Sequence, residues 1–128
     1  MINRVYDAGA LIAADCGEPS FWHDHDKLIS AGLAPVVPAA VVAQVSRARP
    51  RQANLARLLS GCKVIDLSEK TAHQVGALLA TSKTSDIVDA SAIVAATEHD
   101  ARVVLTSDIG DIEHLVKASN AKVHVMLP

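Results

Sequence analysis

Short apolar strand segments alternate with helical segments along this whole chain, joined by turns too short for antiparallel returns. That pattern constrains the fold most, because parallel strands need a crossover between them, usually a helix. "INRVY" reads as the first strand, followed by a helix through "GALIAAD". "PSFWHDHDKLISA" suggests a second helix, with a proline at its start and Gly32 closing it. "APVVP" is a brief buried strand and "AAVVAQVSRA" a helix that Pro50 breaks. "RQANLARLLSG" is another helix, "CKVIDL" a strand, and Ser68 opens a helix running to about residue 81. A long helix over 85–99 follows, then the strand "RVVLTSD", the helix "IGDIEHLVKAS" and the last strand "KVHVML". The expected architecture is a three-layer α/β/α sandwich around a parallel sheet, one domain over residues 1–128.

Composition agrees with it. Half the residues are apolar, yet there is only one Phe, one Trp and one Tyr. The core must therefore be aliphatic, the usual filling between helices and a parallel sheet. A net charge of −2 gives no global field to draw in nucleic acid, so any such contact must be local. Cys16 and Cys62 form no CxxC pair, which argues against a zinc site or a disulfide framework. Neither a signal peptide nor a membrane-spanning apolar run is legible, and a cytoplasmic location is expected.

The acids carry the chemistry. In open parallel sheets, ligands gather outside the carboxyl ends of the strands. Asp7 directly follows the first strand, and Asp108 follows "RVVLT" with Asp111 one helical turn beyond. "KTSDIVDASAIVAAT" places Asp86 and Asp89 three apart at the start of a helix that is otherwise small and apolar. Each acid alone reads equally as a helix cap. Together they would repel one another in a shared crevice unless a hard divalent cation bound them. Oxygen ligands without converging His or Cys point to magnesium or manganese.

The segments "VYDAGALIA", "VVPAAVVAQVSR", "SDIVDASAIVAA" and "VVLTSDIGDI" resemble, in order, the motifs of PIN-domain nucleases. More closely the chain is similar to the VapC toxins of bacterial type II toxin–antitoxin systems. The resemblance covers essentially the whole chain. It implies a metal-dependent endoribonuclease that leaves a 5′-phosphate and a 3′-hydroxyl, usually homodimeric and silenced by a cognate antitoxin. Asp7, Asp89 and Asp108 match the metal-holding acids, and Asp86 and Asp111 match acidic positions often found nearby. Thr106 matches a hydroxyl residue, two before Asp108, that commonly orients the Asp108 carboxylate. Two positions depart from the pattern. Gln44 stands where the family usually has Glu, keeping a carbonyl ligand but losing a charge. Gly9 replaces a small hydroxyl or amide residue.

Other signals carry less. The basic run "RARPR" is an expected RNA clamp through Arg47 and Arg51, or else plain solvated helix ends. The "WHDHDK" stretch is expected to be a solvated helix surface. The apolar positions Leu28, Ile29 and Leu33 read either as a partner contact or as core. The rival to a nuclease is a PIN-fold module that binds RNA or protein without cutting, which Gln44 favours. A phosphatase built on Asp7 is disfavoured, because no second acid follows two residues later.

Overall fold

A computed structural model describes residues 1–128. Five strands form one sheet: β1 (Arg4–Tyr6), β2 (Val36–Pro38), β3 (Lys63–Ile65), β4 (Val103–Leu105) and β5 (His124–Met126). Seven helices connect them: α1 (Ala8–Asp15), α2 (Pro19–Ser30), α3 (Ala39–Val45), α4 (Ala53–Ser60), α5 (Glu69–Ser82), α6 (Ile87–Glu98) and α7 (Ile109–Ser119). Every strand pair is parallel and the order is β3-β2-β1-β4-β5, so the expected α/β/α sandwich is the observed one. The order reverses between β1 and β4, which opens a crevice at their carboxyl ends. No helix is long and apolar enough to cross a membrane.

Alternation along each strand divides the core in two. Val5, Val36 and Val104 face one side and pack with Val75 and Leu78 of α5, Ile93 of α6, and Ile112 and Leu115 of α7. Tyr6, Val37, Val103 and Leu105 face the other side and meet Leu11, Phe21, Val41, Leu55 and Leu58. Helix α6 is buried continuously from Asp89 to Ala96, which an ordinary amphipathic helix is not. Its Ala-rich sequence lets α5, α7, α3 and the sheet approach from several sides. An acid at the start of such a helix is carried out of water by its neighbours.

The structure differs from the sequence reading in four places, three of them at helix ends. Helix α3 stops at Val45 because the Gln52 side chain takes over its end, accepting from the Arg47 backbone N–H (2.8 Å) and donating to the Val45 carbonyl (3.0 Å). Pro50 then starts a 3₁₀ turn, Pro50–Gln52, rather than merely ending a helix. The long helix begins at Ile87, with Asp86 as its N-cap.

A fourth difference lies in "WHDHDK". His23, Asp24 and Asp26 are exposed as expected, but His25 is buried and its Nδ1 lies 2.8 Å from the Tyr6 hydroxyl. Tyr6 is wholly buried, and a buried phenol needs a polar partner. His25 supplies it from the Phe21–His25–Leu28 stripe of α2. Burial raises the Tyr6 pKa and lowers that of His25, so the pair is neutral. Of the apolar trio, Leu28 is core, Leu33 half-buried and Ile29 exposed.

The Asp86 carboxylate accepts the Asp89 backbone N–H at 3.0 Å, a bond that Asn preserves and Ala removes. Because both substitutions delete the same charge, their difference isolates the cap. Asp86→Ala should be less stable than Asp86→Asn by about 1 kcal/mol in urea denaturation. Equal midpoints would deny the cap any weight.

Candidate metal centre

Asp7 and Asp108 occupy the N-cap positions of α1 and α7, yet neither side chain caps its helix. That separates them from Asp86, which does. The Asp7 carboxylate turns to Thr106, whose wholly buried hydroxyl donates to Asp7 Oδ2 at 2.7 Å. The same Thr106 oxygen accepts the Asp108 backbone N–H at 3.0 Å, so the hydroxyl orients the Asp7 carboxylate and the Asp108 backbone rather than the Asp108 carboxylate that the resemblance implied. The ladder extends past the strands here: the Asp7 N–H donates to the Leu105 carbonyl and the Thr106 N–H to the Met126 carbonyl, both at 2.9 Å.

Carboxylate oxygens of Asp7, Asp89 and Asp108 lie within 4.8 Å of one another. Asp7 and Asp89 are buried while Asp108 opens to solvent. Asp7 Oδ1 is buried without any hydrogen-bond partner, although its twin oxygen is satisfied. An orphaned carboxylate oxygen among further carboxylates is costly in apo form and is what an oxygen-preferring cation relieves. The donor set therefore fits magnesium or manganese.

Electrostatics agree with the geometry. Burial, followed by the charges of Asp86, Asp7, Asp108 and Asp111, pushes the Asp89 carboxyl up to about 7. Burial also raises Asp7, partly opposed by the hydrogen bond from Thr106. Neither acid is at ease as an anion in the absence of a cation.

The other expected site residues divide. Asp86 and Asp111 stand beside Asp89 around one open cavity. Gln44 is exposed on α3, a helix packed between α1 and α6. Arg47 bends its guanidinium back to the Ser46 carbonyl (2.9 Å) and more distantly the Ala43 carbonyl (3.5 Å), closing the end of α3, whereas Arg51 is exposed. Two residues escaped sequence reasoning. His114 Nε2 sits 2.8 Å from the Ser82 carbonyl and ties α7 to the end of α5. Ser107 fills the space beside Gly9: a Cβ on Gly9 would run into its side chain and lie 2.9 Å from its backbone nitrogen. The position-9 hydroxyl or amide has no room here unless the Asp108 loop shifts.

The crevice, the strand order and the flanking helices define a PIN-like α/β/α fold. Among solved structures, VapBC2 from Rickettsia felis, bound to a DNA fragment from its promoter, matches with a TM-score of 0.74 at 15% identity, covering 99% of both chains. PAE2754 from Pyrobaculum aerophilum matches with a TM-score of 0.61 at 17% identity, over 97% of this chain and 90% of that one. No protein-family model matches the sequence, and no curated protein does either. At these identities the likeness is one of fold.

An Asp89 carboxyl lifted to about 7 stabilises the metal-free fold only while protonated, so its contribution is present in acid and is lost as pH rises through about 7. Asp7 acts with the same sign. Thermal denaturation in a chelating buffer should show the metal-free protein weakening from pH 5 towards pH 8. Asp89→Asn should flatten that slope, and a slope unchanged in the variant would place the strain elsewhere.

Proposed function

We propose that this chain is a divalent-metal-dependent endoribonuclease, the toxin of a toxin–antitoxin pair. The observation that carries the reading is the convergence of Asp7, Asp89 and Asp108 around an unpartnered buried oxygen at the switch point of the sheet. Asp7, Asp89 and Asp108 would hold magnesium or manganese, which supplies an activated water and charge stabilisation at the scissile phosphate. Thr106 holds Asp7 and the Asp108 backbone in register, so both strand-end acids keep their places as charge develops. Asp86 and Asp111 add negative potential at the rim. Gln44, next to the crevice-forming helices, offers a neutral carbonyl where a fourth acid would raise cation affinity. Arg51, with Arg47 once its guanidinium leaves the α3 carbonyls, would meet RNA phosphates.

The biological frame rests on the same reading: an RNA substrate, a cognate antitoxin, a homodimer, and action in the cytoplasm. A second reading, a PIN-fold module that holds RNA without cutting it, is favoured by one observation, the uncharged and exposed Gln44.

Single substitutions Asp7→Asn, Asp89→Asn and Asp108→Asn should each remove magnesium- or manganese-dependent cleavage of RNA while leaving the circular dichroism spectrum native. An Asp89→Asn protein that cuts like its parent would refute the centre. Binding of magnesium, followed by calorimetry, should strengthen in Gln44→Glu. One added charge a few ångströms away is worth on the order of a few kcal/mol at an effective dielectric near 20, before desolvation. Equal affinities would point Gln44 away from the crevice.

Reversing charge at Arg47 and Arg51 should weaken RNA binding and flatten its dependence on salt, since fewer phosphate contacts release fewer counterions. A salt slope identical to the parent's would return both arginines to ordinary surface.

A further inference from the structure

Next to the three carboxylates lies a cavity of about 290 Å³, with Asp89 as the wall it shares with the metal centre. Its other walls are Thr84, Ser85, Asp86, Asp111 and His114, and Leu115 is its one apolar face. This size is near the lower end for small-ligand sites, ~300 Å³, so it suits a single nucleoside rather than a stretch of chain. We propose, building on the ribonuclease reading above, that the cavity seats the base beside the scissile phosphate and selects guanine.

The selection follows from which walls accept and which donate. Asp86 and Asp111 are carboxylates, which when ionised accept only. One Asp86 oxygen already takes the Asp89 N–H, leaving the other free. His114 Nε2 faces the Ser82 carbonyl, so in the neutral ring that nitrogen carries the hydrogen and Nδ1 is left as an acceptor. The Thr84 hydroxyl is engaged with Ser82 Oγ at 2.7 Å. The walls are thus rich in acceptors and poor in fixed donors.

A base is read by the bonds its edge can make with such walls. Guanine presents N1–H and its N2 amino group side by side, two donors that match the two oxygens of one carboxylate. Uracil presents a single N–H flanked by two carbonyls, which a carboxylate repels. Adenine and cytosine each offer an amino group beside a ring acceptor, an intermediate match. Leu115 is itself packed in the core and offers little surface, so recognition rests on the polar edge of the base, while the shared Asp89 wall sets the attached phosphate beside the metal centre. The bond from His114 to Ser82 fixes α7 against the end of α5, whose C-cap Lys83 turns through a left-handed backbone (φ 58°) directly before Thr84 and Ser85. His114 therefore acts as a positioning residue for that wall.

Two measurements test the cavity and keep its failure apart from that of the nuclease reading. The first needs no cleavage. In magnesium buffer, titration with guanosine 5′-monophosphate should shift the backbone amide resonances of Thr84, Ser85 and Leu115, and uridine 5′-monophosphate should shift them far less. Equal responses to the two nucleotides, or none to either, would overturn the proposal. The second uses unpaired oligoribonucleotides that differ only in the base next to the cut. Cutting should favour guanine, and inosine, which lacks the N2 amino group, should lower kcat/KM about tenfold. Asp111→Asn, which replaces an acceptor oxygen by an amide donor, should shrink the guanine-to-uracil ratio whatever its effect on overall rate. An unaltered ratio would remove Asp111 from base reading and sink the selection argument. If the parent cuts no RNA at all, the ribonuclease reading fails, while the nucleotide titration still decides the cavity.

Discussion

A single hydroxyl joins the two halves of the crevice. Thr106 donates to the Asp7 carboxylate and accepts from the Asp108 backbone, and it does so from a wholly buried position at the end of β4. Asp7 arrives from the start of the chain and Asp108 from near its end. Only the pairing of β1 with β4 makes them neighbours. Remove that bond and the Asp7 carboxylate loses the one side-chain hydrogen bond that opposes its desolvation. Acids that repel one another are held together here by a sheet too well packed to let them part.

The burial of Asp89 comes from the same packing. Helix α6 lies at the middle of one layer, touched by α5, α7, α3 and three strands, and its alanines allow that closeness. An ordinary surface helix would leave an acid in its first turn hydrated, with its usual acidity. Here the close packing that makes α6 a good core helix also makes Asp89 a reluctant anion. The same arrangement weakens the fold without a cation and would favour taking one up.

Much of this was legible in the chain. Strand-helix alternation dictated a parallel sheet, and acids directly after two strands had to lie at its carboxyl edge whatever the strand order. The capping question was not legible, because Asp7, Asp86 and Asp108 all precede helices in the same way. Only the Thr106 bond and the Asp89 N–H sort them into different roles. His25 was misread for a related reason: among exposed acids it looks solvated, and the phenol that draws it inward is 19 residues away. The early end of α3 depends on Gln52, a side chain beyond a proline and a left-handed Ala48, where local periodicity carries no information. Long-range polar partners were the part that spacing could not reveal.

The contact of Gly9 with Ser107 has an evolutionary consequence. A larger residue at position 9 is tolerated only after the serine side chain and its loop have moved. The two sites are therefore coupled, and the cost of a substitution at position 9 depends on the state of the 107 loop. Because the Ser107 backbone nitrogen also lies 2.9 Å from a Cβ at position 9, trimming the serine alone does not open the position, and a lineage leaving glycine must move the loop itself.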